Sequence, residues 1–256
     1  FHYAYCDVVA PEPKYAAIKK WLFLKLLQSR TLRQLLTIDE PLREYIIHRY
    51  PEYQSRITYF PDPAELKGHH TYESARQILG IKEGQKIILV YGAIDARKGL
   101  DYLLTAFGGR EIENNVSLLI VGKQSIWAKT LLSKDIGHQL KEQGRLFEFD
   151  SFVNEEIQQM AFSASDIVWL GYKTHYAMSG VLVLAALANK PTIATNDGLI
   201  GWYTRKYFLG HTLNSNTTMV DILNTSITSL NQYGGKLDTE AHSWSKATNC
   251  ICSLLS

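Results

Sequence analysis

Cysteine is scarce, with Cys6, Cys250 and Cys252 the only three in 256 residues. An odd number placed near the two ends excludes a disulfide framework, and the spacing matches no zinc motif. A reduced, intracellular chain is therefore expected, with no bound metal. The eight histidines are scattered, and no H-x-x-x-H or C-x-x-C occurs. Excess charge is also missing: 27 Lys and Arg against 25 Asp and Glu give a net charge of +2. That balance gives no support to a nucleic-acid binder, which carries a denser basic field. The most apolar runs, around Ile87–Tyr91 and Gly180–Ala188, are too short to cross a bilayer. The opening "FHYAYCDVVAPEP" has neither an initiator Met nor a signal pattern, so the chain is read as a fragment entered partway through. Three nucleotide and hydrolase signatures are absent as well. These are the P-loop G-x-x-x-x-G-K-[ST], the dinucleotide G-x-G-x-x-G and the nucleophile elbow G-x-S-x-G. Finally, "HYAMSGVLVLAALANKPTIAT", residues 175–195, holds no Asp or Glu at all.

What is present is a globular composition, 46% hydrophobic and 20% charged. Residues 19–36, "KKWLFLKLLQSRTLRQLL", read as a basic amphipathic helix. Trp21, Leu22, Leu26 and Leu35 are expected to pack on a sheet with the Lys and Arg in water. A peripheral membrane contact is the alternative, because the basic residues flank Trp and Phe. "LLTIDE" reads as a short strand, "PLREYIIHRY" as a helix, and "ITYFPDPAELKGHH" as a linker. Beyond it the pattern becomes regular. "ESARQILGI" is a helix with Gly80 as its stop. Five apolar strands follow, "KIILVYG", "VSLLIVGK", "RLFEFDSF", "DIVWLGY" and "PTIAT". They alternate with helices in "GLDYLLTAFGG", "WAKTLLSKDIGHQLKEQ", "NEEIQQMAFSA" and Gly180–Ala188. Continuous apolar strands alternating with helices predict an α/β fold with a doubly wound parallel sheet.

In such sheets ligands bind at the carboxyl ends of strands, which directs attention to the loops 92–99, 122–127, 151–154 and 171–180. In the first, Gly92 gives a tight exit, and Arg97 and Lys98 stand beside a helix start. Cations there oppose the helix dipole unless an anion sits between them and the free amides. An exposed pair partly neutralised by Asp95 is the competing reading. Gly122 would let a ligand approach the backbone, or simply make a turn. Asn154 reads as an N-cap, which accounts for Glu155 and Glu156 in the first turn. In "GYKTHYAMSG", His175 is the candidate general acid or base, or a donor to phosphate. Ser179 and Gly180 offer an uncrowded helix start whose N–H groups can hold an anion. "TNDGLIG" reads as a further loop shaped by Asp197 and two glycines.

Together, "VYGAIDARKGLDYLLTAF", "VSLLIVGK", "SASDIVWLGY" and "SGVLVLAALANKPTIATNDGLIG" resemble the C-terminal half of a GT-B glycosyltransferase of the large retaining family 4. "RKYFLGHTLN" resembles the segment leading to the next strand, and "HSWSKATNCICSLLS" the closing helix that crosses back. The resemblance implies three parts. Residues 1–60 would be a remnant of the N-terminal acceptor domain, 61–240 a Rossmann-like nucleotide-sugar domain, and 241–256 the closing helix. It implies a nucleotide-sugar donor, an acceptor that the chain does not identify, no cofactor or metal, and retention of configuration. It also implies a cytoplasmic place, with the inner membrane face as an alternative. The implied donor-binding residues are Gly92, Arg97, Lys98, Gly122, Val153, Met178, Ser179, Gly180 and Val181, with His175 catalytic. Two departures stand out. Ala93 occupies the position of the family's arginine, for which Arg97 would compensate. Tyr176 and Leu184 occupy the positions of its E-x7-E glutamates, the second of which normally holds the ribose. A non-catalytic nucleotide- or sugar-phosphate-binding scaffold is therefore the alternative, and another GT-B-shaped enzyme such as an epimerase a third.

Overall fold

The computed structural model describes residues 14–109, 112–214, 217–230, 233 and 237–255. Cys6 lies outside them, and Cys250 and Cys252 are free thiols.

The chain opens with helix α1 (Ala16–Gln28), strand β1 (Leu35–Thr37), helix α2 (Glu40–Arg49) and strand β2 (Ile57–Tyr59). β1 and β2 pair in parallel. The expected first helix is thus corrected at its end. It stops at Gln28, and Leu35 belongs to a strand. Its packing face is also corrected: Leu27 is buried, whereas Trp21, Leu22 and Leu26 are 57%, 54% and 46% exposed. The expected linker likewise begins with a strand, because Ile57–Tyr59 bonds along β1. Asp39 caps α2 by accepting from the Leu42 amide at 2.8 Å. Burial raises its carboxyl pKa.

Helix α3 (Tyr72–Ile78) leads into a parallel sheet of six strands. These are β3 (Lys86–Tyr91), β4 (Val116–Val121), β5 (Leu146–Phe149), β6 (Ile167–Leu170), β7 (Thr192–Thr195) and β8 (Gly210–Leu213). Their spatial order is β5-β4-β3-β6-β7-β8. Successive residues of β3 point to opposite faces, as the strand period requires. Ile87 and Leu89 enter one core, and Ile88 and Val90 the other. The first core is completed by α7 (Glu155–Ala164), α8 (Gly180–Leu187) and α9 (Gly198–Lys206), and it runs on to Leu27, Leu42 and Ile57. The second is completed by α4 (Leu100–Phe107), α5 (Ile126–Leu132), α6 (Asp135–Glu142) and α10 (Met219–Thr228). Both faces of the sheet are covered, which is why its strands read as unbroken apolar runs. Helix α11 (Trp244–Leu255) follows a turn in which His242 accepts from the Ala64 amide through its carbonyl.

Two further expectations change. The stretch read as one helix is α5 and α6. They meet at Asp135, with φ +46°, and Gly137 sits so close to Leu132 that a Cβ would lie 2.5 Å from its carbonyl oxygen. The loop expected after Thr195 is helical from Gly198 onward.

Candidate functional site

The order β5-β4-β3-β6-β7-β8 reverses direction between β3 and β6. The loops leaving those two strands therefore diverge around a crevice at their carboxyl ends, the place where open α/β sheets bind ligands. They are the loops holding Gly92–Gly99 and Gly171–Gly180.

The two loops are locked together. Trp169, fully buried, donates its indole N–H to the Lys98 carbonyl at 2.7 Å, and the Lys173 amide donates to the Arg97 carbonyl at 2.7 Å. Gly99 has φ +64°, and a Cβ there would lie 2.1 Å from the Gly171 carbonyl oxygen. Only glycine permits this approach. Asp95 accepts from the Arg97 amide at 2.9 Å and so fixes the short 3-10 turn that aims the two cations.

Those cations are not equivalent. Arg97 is exposed, and its guanidinium lies 3.7 Å from Asp95. Lys98 is only 5% exposed. Its ammonium donates to the Tyr172 hydroxyl and stands 4.2 Å from the centre of that ring. Burial, and then the neighbouring Arg97, lowers its pKa from 10.5 to about 7, with Asp95 opposing. Burial also pushes the Tyr172 hydroxyl up to about 12, while a hydrogen bond with Ser179 opposes this. Lys98, Tyr172 and Ser179 thus form a chain from the β3 loop to the start of α8. Gly92, with φ +100°, leaves room above the ammonium, and a Cβ there would lie 3.4 Å from Lys98 Nζ.

At α8, Ser179 is buried at the N-cap and makes no side-chain cap bond. The amides of Gly180 and Val181 precede the first intrahelical bonds. Gly180 is exposed, with no atom within 4 Å of a Cβ placed on it. Met178 and Val181 are half-buried against the core. His175 bridges the two halves of the cluster. Its Nδ1 lies 3.5 Å from Arg97 Nη1 and its Nε2 lies 3.4 Å from the Met178 carbonyl. Burial lowers its pKa. The neutral tautomer with the proton on Nε2 satisfies both contacts.

The structure brings Gly92, Arg97, Lys98, His175, Met178, Ser179, Gly180 and Val181 onto these two interlocked loops and the helix start. It leaves Val153 outside that cluster and sets Gly122 against the backbone of Gly92 at its edge. Gly122 has φ +135°, and a Cβ there would lie 1.9 Å from the Gly92 carbonyl oxygen, so close backbone packing already requires a glycine. Val153 follows β5, two strands from β3, and is half-buried against the core. Sequence reasoning did not single out Tyr172 and Trp169, which set the burial and direction of Lys98. Their signal was aromatic residues within three positions of the strand end. The positions of the absent glutamates are also accounted for. Leu184 is 9% exposed in the core. The Tyr176 carbonyl accepts from the Leu199 amide at 3.0 Å and so holds the first turn of α9.

Residues 71–227 match the family model described as glycosyl transferases group 1. Over 172 residues the chain is 25% identical to an uncharacterized glycosyltransferase of Methanocaldococcus jannaschii, an alignment covering 64% of this chain and 43% of that protein. The chain thus spans less than half the length of that curated relative. Among solved structures, the sucrose-phosphate synthase of Thermosynechococcus elongatus superposes with a TM-score of 0.64 at 16% identity, covering 97% of this chain and 63% of that one. Anabaena HepE in complex with UDP superposes at 0.66 with 14% identity, covering 97% and 70%. Identities this low establish the fold, which is that of the GT-B glycosyltransferases.

Proposed function

The chain belongs to the glycosyl transferases group 1 family, and from that premise we propose that it seats a nucleotide-sugar at the β3–β6 switch point and transfers the sugar. The observation that carries this reading is the buried Lys98, held between Gly92 and the start of α8 by Tyr172, whose hydroxyl in turn bonds with Ser179. A buried ammonium that forms no ion pair among the described residues is stabilised by an anion that enters beside it. A diphosphate would take charge from Lys98 and Arg97 and hydrogen bonds from the amides of Gly180 and Val181. The complex of a structural neighbour with UDP supports this choice of ligand.

In the reaction so proposed, the bond from the sugar anomeric carbon to the phosphate oxygen breaks, and the acceptor oxygen bonds to that carbon. The acceptor's proton passes to the departing phosphate, and configuration is retained. Charge develops on that phosphate, and the residues that meet it are preorganised, so they favour the transition state. No protein carboxylate is required in this scheme, which suits the acid-free stretch at 175–195. His175 then serves as a positioning residue, directing Arg97 and the turn before α8. Residues 1–60 would supply part of an acceptor-facing domain.

One observation favours a second reading, a nucleotide-binding module without turnover: Leu184 points into the core where a ribose-binding carboxylate is expected. Calorimetry with UDP, GDP and ADP tests the donor site, with Lys98→Ala as control. Binding of one nucleotide, weakened at least tenfold by the substitution, is the expected result. No binding by any of them overturns the donor site. Donor hydrolysis or sugar transfer by the full-length protein separates the enzyme from the module.

A further inference from the structure

The first acid after Asp166 in the sequence is Asp197, two residues beyond the end of β7. The carboxylates that follow β3 and β5 are already engaged. Asp95 lies 3.7 Å from Arg97, Asp101 pairs with Lys173, Asp150 stands 3.6 Å from Lys123, and Glu155 stands 3.2 Å from Lys67. Asp197 differs from them. It is exposed at the N-cap of α9, makes no side-chain cap bond, and has no ion pair among the described residues. The helix dipole at that position favours its charged form. The turn that carries it is fixed on both sides. Arg205 Nη1 donates to the Asn196 carbonyl at 2.7 Å and to the Asn196 side-chain oxygen at 2.6 Å. Gly198 has φ +67°, and a Cβ there would lie 2.5 Å from Tyr176 Cα. The Leu199 amide donates to the Tyr176 carbonyl at 3.0 Å. Because β7 lies beside β6 in the sheet, this turn is clamped to the residue that follows His175.

We propose that Asp197 accepts hydrogen bonds from hydroxyl groups of the donor sugar and so helps select that sugar, an assignment that rests on the nucleotide-sugar seat proposed above. The cluster on the β3 and β6 loops offers cations, amides and hydroxyls, which serve a diphosphate, while residues 175–195 supply no carboxylate. A sugar needs acceptors as well as donors, because each of its hydroxyls carries a proton. An ionised carboxylate has two acceptor oxygens and can take protons from two neighbouring hydroxyls at once. Such charge-assisted bonds are shorter and stronger than neutral ones. The same charge repels phosphate, so Asp197 fits the uncharged sugar end of the ligand and not its diphosphate. Its rigid turn and lack of an internal partner mean that it gives up no protein bond to do so.

Calorimetry on wild type and Asp197→Asn tests it, comparing UDP, GDP and ADP with UDP-glucose, UDP-galactose, GDP-mannose and ADP-glucose. Asparagine keeps the shape of the side chain and is an equally good N-cap, so Tm should not change. The Kd of the bare nucleotide that binds should stay within about twofold, while that of its sugar conjugate should rise at least about tenfold. Conjugate affinity that survives the substitution would overturn the assignment. Equal weakening of bare nucleotide and conjugate would also overturn it, by placing the carboxylate on the ribose. So would a wild-type chain that binds a bare nucleotide and none of the four conjugates. In each of these cases the diphosphate seat stands. A wild-type chain that binds no nucleotide in either form would overturn the seat itself, and this assignment with it.

Discussion

Replacing Lys98 by Met should make the protein more stable while removing its anion site. A fall in pKa from 10.5 to about 7, at about 1.4 kcal/mol per pH unit, places a penalty of about 5 kcal/mol on the buried charge. The sign follows from proton uptake. The unfolded chain protonates this lysine below about pH 10.5, and the folded chain only below about 7. Stability is therefore lost as pH falls through that window, and the penalty is complete below it. Methionine keeps a flexible apolar stem of similar length without the charge. It gives up the hydrogen bond to Tyr172 and the contact with that ring, together about 2–3 kcal/mol. The Tyr172 hydroxyl retains Ser179 as a partner. The net expectation is a gain of about 2 kcal/mol at pH 7 and below, or about 4–8 °C in Tm for a chain of this size. The gain should shrink toward pH 10. Thermal unfolding of both proteins across that range, followed by circular dichroism, measures it. A variant less stable than wild type at pH 6–7, or a difference that does not change with pH, would refute the reasoning.

Four other outcomes follow from the structure. Gly122→Ala should cost at least about 3 kcal/mol in urea unfolding, because its φ is +135° and the new methyl would lie 1.9 Å from the Gly92 carbonyl oxygen. Gly180→Ala meets nothing within 4 Å, so it should leave stability within about 0.5 kcal/mol while weakening nucleotide binding at a helix start that the added methyl narrows. Asp166→Asn should destabilise by about 2–4 kcal/mol in the same assay, since the carboxylate accepts from the Ile87 amide at 2.8 Å and pairs with buried Arg76 at 3.3 Å. His175→Phe should raise the Kd for UDP several-fold in calorimetry, because Arg97 loses the imidazole nitrogen 3.5 Å away that directs it.

The parallel sheet was legible because both of its faces are buried, which turns β3, β4 and β6 into unbroken apolar runs. Strand order was not, because it rests on pairings such as Ile88 with Ile167, far apart in sequence. The helix at Gly198 was hidden by its glycines. Gly198 and Gly201 are there because a Cβ would lie 2.5 Å from Tyr176 Cα and 2.0 Å from the Asn196 carbonyl oxygen, a packing demand that reads locally as a loop. In α1, hydrophobic spacing identified the helix but not which side packs. At the site, the Arg97–Lys98 pair was visible, but the burial of only one of them depends on Trp169 and Tyr172 from a distant strand.

The central claim is that one anion bridges Lys98 and the first turn of α8. Amide-resolved NMR titration of the chain with UDP, and with uridine as the phosphate-free control, tests it most directly. UDP should move the Gly180 and Val181 amide resonances and raise the Lys98 pKa, and uridine should do neither. Shifts of equal size with uridine, or shifts confined to other parts of the sheet, would contradict it.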